Sequence, residues 1–270
     1  MLVLRNDELR VDILDPVADQ SRFGVRYCTG GYIYQVSDRR HGPLLSGPTF
    51  PDSFNWFDGQ GIPDAFNLGP LLSPSEPGRA LIIGIGDCDL TTREVLSYCN
   101  WEISAEPTRL SFRTTQEAHG RRFDLTRVVS LVSRTVRSHT TLENKGRGEV
   151  PVRWFPHPFY PQPEGNELIW LNVPLRWHDG AGYRRLDNGF LARADGPWTE
   201  GRYLPLDHDA QAPLALVQRH PTLGLVSAAT SYVPAFFPLW GNAITFSWEP
   251  FFERTVAPGQ RVSWWVDYSF

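Results

Sequence analysis

The chain has 270 residues and a formal charge of −4, so it lacks the basic excess with which proteins grip a phosphate backbone, and nucleic acid is not an expected partner. Hydrophobic residues make up 41% and charged residues 21%, near globular averages and enough for a sizeable core. Gly and Pro, 23 of each, interrupt every potential long helix, which predicts an all-β fold class.

Leu9, Val11 and Ile13 alternate with Arg10 and Asp12 as in a half-buried strand, and Asp15-Pro16 ends it. Gly30 to Val36 reads as a second strand, followed by a polar turn in which Arg39 and Arg40 form a solvated face. From Thr49 to Pro70 no period is sustained, and four phenylalanines and one tryptophan argue for a packed loop. In one reading Trp56 stacks on a ligand while Asp58 and Asp64 accept hydroxyl hydrogen bonds. In the other the aromatics plug the end of a sandwich and the aspartates cap turns.

Ala80 to Ile85 is a continuous apolar run and reads as one buried strand; Gly84-Ile85-Gly86 lacks the third glycine and the helix of a phosphate loop. Further strands are predicted over Tyr98 to Ser104, Arg109 to Thr115, Phe123 to Leu131 and Thr135 to Leu142, joined by turns such as Glu117 to Gly120. Arg127, Arg134 and Arg137 fall on strand positions that by default face solvent, with room for one to enter a cleft. A turn on Asn144, Gly146 and Gly148 leads into a short strand through Val150, Val152 and Trp154 that stops at His157, held between Pro156 and Pro158. With Phe155, Phe159 and Tyr160 beside it, His157 is either a proton donor and acceptor on an aromatic floor or a buried histidine satisfied by a carbonyl.

His178-Asp179-Gly180 and Asp207-His208-Asp209 place possible metal ligands next to one another, but adjacent residues of an extended chain point apart, and both read as turns; no metal is expected. Strands follow over Leu168 to Val173, Leu214 to Gln218, Leu223 to Ala229, the aromatic stretch Ala235 to Trp240, and Ala243 to Glu249. In the last of these Ile244, Phe246 and Trp248 share one face and Thr245, Ser247 and Glu249 the other. Pro258-Gly259 turns the chain into a final aromatic strand, Val262 to Phe270.

Cys28, Cys88 and Cys99 have no metal-ligand spacing and read as buried thiols. No signal-peptide core and no run of 18 apolar residues occurs, so a cytoplasmic protein without a membrane partner is expected. With no linker, low-complexity tract or repeat, residues 1–270 are expected to form one domain. The oligomeric state is not legible.

Three segments in order resemble the galactose mutarotase-like, or aldose 1-epimerase-like, family: the Leu142-Glu143-Asn144 turn leading to His157-Pro158-Phe159-Tyr160, the Trp248-Glu249-Pro250 strand end, and the Ala257-Pro258-Gly259 turn with the last strand. Arg22-Phe23 with Gly30 to Val36, and Leu81 to Gly86, look like its divergent bacterial members. The resemblance implies one large antiparallel β-supersandwich binding a small-molecule carbohydrate without cofactor or metal. It implies an isomerase in which His157 protonates the sugar ring oxygen and Glu249 removes the anomeric proton, with Arg22, Trp56, Asp58, Asp64, Tyr160 and Trp240 as candidate substrate-binding residues. The family's Asn-x-x-His-Gly-Gly segment has only a faint echo in His41-Gly42. A non-catalytic carbohydrate-binding or structural module is the alternative, and an accessory domain of a hydrolase or lyase a further one.

Overall fold

The computed structural model describes residues 1–47, 56–176, 182–209 and 211–270. Among them there is no α-helix, only a 3-10 turn at Gln20–Arg22, and no helix is long and apolar enough to cross a membrane. Among the described residues every strand pairing is antiparallel, and the largest sheet has ten strands. Its centre is a run of long hairpins, Arg109–Ala118, Arg121–Val132 and Thr135–Asn144, against which the final strand Arg261–Ser269 pairs. Alternation explains the register: Leu110, Phe112, Leu125, Val129, Leu142, Trp264, Val266 and Tyr268 are buried, while most of their neighbours along each strand are more exposed.

A second layer comprises a three-stranded sheet carrying Val150–Pro156 between Asp64–Ala65 and Phe252–Val256, and a five-stranded sheet carrying Thr245–Trp248 between Tyr160–Pro161 and Phe237–Gly241. Aromatic rings close the space between the layers. Phe252 stacks on Trp264 at 4.3 Å, Trp154 meets Trp264 at 5.6 Å, and Trp248 stacks on Tyr268 at 5.8 Å. Trp248 donates to Gln218 Oε1 at 2.9 Å, so the buried indole N–H has a partner. Much of the aromatic richness is thus core.

The strands predicted from Arg109 onward are observed close to their expected positions, because period-two alternation specifies them locally; Arg202–His208 and Phe252–Val256 are strands that alternation did not announce. The apolar run Ala80 to Ile85 is not one strand: Arg79–Ile82 and Gly86–Asp89 form a hairpin, since Gly84 adopts φ 74° at the bend. The predicted strand Tyr98 to Ser104 likewise divides into Glu94–Tyr98 and Glu102–Glu106. Asp207-His208 ends the strand Arg202–His208 and pairs with Leu175–Arg176 rather than forming a turn. His178 and Asp179, and residues 49–55 of the aromatic loop, lie outside the described residues. Cys28 and Cys88 are buried and Cys99 partly so, and all three thiols are free.

Arg127 departs most from expectation. It is 1% exposed and points into the core, where it forms a two-pronged ion pair with Asp64 and also donates to Ser138 Oγ at 3.1 Å. The cost of desolvating both charges is offset by the fork-on-carboxylate geometry and the added hydroxyl. By contrast, Arg134 pairs with Asp38 at 2.7 Å and Arg137 with Asp267 at 2.6 Å while staying partly exposed.

One glycine links the fold to the region around His157. Gly61 has φ 75°, and a Cβ there would lie 2.2 Å from the carbonyl oxygen of Tyr34. Its N–H donates to Ser46 and its carbonyl accepts from the N–H of Phe159. Gly61→Ala is therefore expected to destabilise the protein by more than about 1 kcal/mol, since both the dihedral and the space are wrong for a side chain. A denaturant midpoint unchanged from the wild type would contradict this.

Candidate active site

The strand Val150–Pro156 ends where two prolines remove ladder donors, and the His157 N–H turns instead to the carbonyl of Pro63 at 2.8 Å. From the neighbouring sheet, Thr245–Trp248 presents Phe246 and Trp248 to the core. Residues two apart on a strand share a face, so Ser247 and Glu249 both reach His157. Ser247 Oγ lies 3.1 Å from Nδ1, and Glu249 Oε1 lies 3.3 Å from Nε2. The side chains of His157 and Glu249 are 5% and 10% exposed. Two strand ends thus deliver a titratable pair to one buried point.

The surroundings form an aromatic cluster separate from the main core, containing Phe23, Tyr27, Tyr32, Phe155, Phe159 and Phe251. Phe159 stacks on the imidazole at 4.3 Å, while Tyr27 and Trp240 meet it edge-on at 6.2 and 6.0 Å. Rings on several sides remove water, and desolvation disfavours whichever form carries charge. Burial accordingly pushes the Glu249 carboxyl up to about 7, against a smaller opposing pull from Arg26. Burial also holds the His157 imidazolium well below its ordinary range, and Arg26 adds to this. Near neutral pH burial thus favours the neutral imidazole and holds back ionisation of the carboxyl beside it. Two such groups 3.3 Å apart can reach two oxygens bonded to a single carbon, one giving a proton while the other takes one.

Of the residues predicted to bind substrate, Trp240 stands beside His157. Trp56 and Asp58 lie on the segment next to Tyr27: the Tyr27 hydroxyl donates to the Asp58 carbonyl at 3.0 Å. The Trp56 ring rests so closely on Gly24 that a Cβ there would fall 2.2 Å from it. Arg22 lies over the Tyr34 ring at 5.2 Å, and the arginine whose field reaches the pair is Arg26. Asp64 is placed elsewhere, committed to Arg127 in the core. Tyr160 also turns inward, stacking on Trp248 and meeting His220 and Phe270. Both sit on strands adjacent to the site, but alternation sends their side chains to the opposite face.

Ser247, Tyr27 and Arg26 are the residues that sequence reasoning passed over. Ser247 was signalled by its spacing of two from Glu249 on one strand face. Tyr27 and Arg26 had only a weak signal, cations interleaved with aromatics in Arg22-Phe23-Gly24-Val25-Arg26-Tyr27.

By sequence alone, neither a family model nor a curated protein matches the chain. Solved structures do match by shape. A galactose mutarotase related enzyme from Lactobacillus acidophilus superposes with a TM-score of 0.66 at 12% identity, over 99% of this chain and 96% of that one. The chain has the galactose mutarotase-like fold. A putative aldose 1-epimerase from Escherichia coli K12 shares this fold, with a TM-score of 0.64 and 14% identity over 99% of this chain and 97% of the other. So does a galactose mutarotase-like protein from Lactobacillus casei, with a TM-score of 0.60 and 14% identity over 100% and 99%. The antiparallel supersandwich implied by the sequence resemblance is therefore the architecture observed, and the likeness at these identities is one of fold. Within that fold, the strand ends after Trp154 and Trp248 are where His157 and Glu249 meet.

Proposed function

We propose that the protein is an aldose 1-epimerase-like isomerase that interconverts the anomers of a small-molecule carbohydrate, with His157 and Glu249 as its acid and base. The observation that carries this reading is the buried contact between His157 Nε2 and Glu249 Oε1 at 3.3 Å. Burial favours the neutral arrangement at rest, with the proton on the Glu249 carboxyl and Nε2 of His157 accepting it. A hemiacetal hydroxyl that hydrogen-bonds to Glu249 favours its ionised form, and the proton then resides on His157.

From that state His157 gives its proton to the ring oxygen as Glu249 takes the proton of the anomeric hydroxyl. The bond between the anomeric carbon and the ring oxygen breaks, leaving an open-chain aldehyde and the proton on Glu249. Rotation about the adjacent carbon–carbon bond exposes the other face of the aldehyde, and the reverse transfers close the ring. Protons balance over the cycle, and the route asks nothing of a metal or organic cofactor. Ser247 acts as a positioning residue: its Oγ, 3.1 Å from Nδ1, accepts the Nδ1 proton and so leaves Nε2 as the nitrogen that exchanges a proton with Glu249 and the ring oxygen. Trp240, partly exposed beside His157, supplies a flat apolar wall suited to sugar carbons, and Phe159 backs the imidazole from within.

The test is anomer exchange, followed by polarimetry or magnetisation-transfer NMR over a panel of aldoses. The wild-type protein is expected to accelerate exchange of at least one of them well above the buffer rate. Binding without acceleration on any sugar overturns the isomerase reading and leaves a carbohydrate-binding module.

A further inference from the structure

We propose that the sugar taken by this site carries a negative charge, a carboxylate or a phosphate, away from its anomeric carbon, and that Arg26 recognises that charge. The site is the one assigned above; the charge preference is an additional property that can be read by binding alone. Arg26 is half-buried. Its guanidinium lies over the rings of Tyr27 at 5.1 Å and Phe57 at 4.7 Å, and Nη1 donates to the Phe57 carbonyl at 2.8 Å. The same Tyr27 ring meets His157 edge-on at 6.2 Å. One aromatic side chain thus touches both the cation and the imidazole.

Arg127 pairs with the carboxylate of Asp64, Arg134 with Asp38, Arg153 with Glu253 and Arg219 with Glu167, whereas Arg193 and Arg202 each donate to backbone carbonyls. Among the described residues no acidic side chain lies within ion-pair distance of Arg26. Asp58, the nearest in sequence on the facing segment, offers its carbonyl to Tyr27. A guanidinium held against aromatic rings with one N–H fixed on a carbonyl has most of its five donors left for a partner, in a planar fork that matches carboxylate or phosphate oxygens. Leaving such a cation without a counter-ion beside a desolvated site is unfavourable, and a bound anion removes that cost. The field of Arg26 disfavours positive charge on His157, and an anion at Arg26 relieves this. The charge on the substrate would thereby ease formation of the imidazolium that ring opening uses.

The experiment compares three probes of one stereochemistry, galactose, galacturonate and galactose 6-phosphate, by calorimetric binding and by anomer exchange, with wild type, Arg26→Gln and Arg26→Lys. Wild type is expected to favour at least one anionic sugar over galactose by about tenfold or more, the scale of a charge-assisted hydrogen bond. Arg26→Gln should bring the ratio toward one, while Arg26→Lys keeps part of it. A preference for galacturonate assigns the partner as a carboxylate, and one for galactose 6-phosphate as a phosphate. Equal or tighter binding of galactose by wild type overturns the proposal, as does an undiminished ratio in a folded Arg26→Gln variant. Anion-selective, Arg26-dependent binding without exchange sustains this inference while overturning the isomerase reading; exchange without charge preference does the reverse.

Discussion

Replacing Glu249 with Gln is expected to lower anomer exchange by about 10² to 10⁴, the usual contribution of a positioned acid or base, and to stabilise the fold above neutral pH. The two effects share one cause. Burial raises the Glu249 carboxyl from an ordinary 4.5 to about 7, so between those values the folded protein binds more protons than the unfolded chain. Stability contributed by this group is then complete below pH 4.5 and falls as pH rises to 7. At 1.36 kcal/mol per unit the loss amounts to about 3 kcal/mol. His157 acts in the opposite sense: its lowered value means that the unfolded chain binds the extra proton below about 6.5, so stability is lost as pH falls. The difference between the wild-type and Glu249→Gln stability curves isolates the carboxyl. The variant should gain by up to that ~3 kcal/mol at pH 8 relative to its standing at pH 4. His157→Asn should reduce exchange to a similar extent, and the double variant should be little worse than either single one, because the two groups act as a unit. Denaturant titrations at the two pH values and exchange rates at neutral pH read both effects. A Glu249→Gln variant with wild-type exchange sinks the acid–base assignment, and parallel stability curves sink the account of the buried carboxyl.

Asp64→Ala is expected to destabilise the protein by about 3–5 kcal/mol, the cost of leaving one member of a buried pair uncompensated. The loss would come from the Arg127 guanidinium, 1% exposed and anchored otherwise only by Ser138. Replacing both partners with apolar residues, Asp64→Leu with Arg127→Met, should recover much of it, because no charge then remains to be desolvated. The denaturant midpoint at constant slope measures both. Affinity for sugar in the folded fraction should be retained in the double variant, since Asp64 faces the core. A loss below 1 kcal/mol in Asp64→Ala, or sugar binding abolished in a stable double variant, would return Asp64 to the ligand.

The sequence by itself determined the class and most of the strands from Arg109 to Phe270, through breaker density and period-two alternation, while the order of strands within each sheet was left to the tertiary structure. It also determined that Ser247 and Glu249 share a strand face and that His157 stops a strand between prolines, both being local consequences of pleat and ring geometry. What it could not determine were facts of long sequence separation. His157 and Glu249 are 92 positions apart, and their contact exists because the strand ending at Pro156 and the strand ending at Trp248, in different sheets, bring their ends together. Asp64 and Tyr160 looked like site residues because they neighbour it along the chain, yet a strand sends successive side chains to opposite faces, and theirs went inward. The burial of Arg127 was equally hidden, since an arginine on an alternating strand reads as solvated until a carboxylate from 63 residues away arrives to meet it. The carboxyl at about 7 belongs to the same class: the rings that dry Glu249 converge only when the sheets do, and desolvation is a property of the assembled neighbourhood rather than of any residue in it.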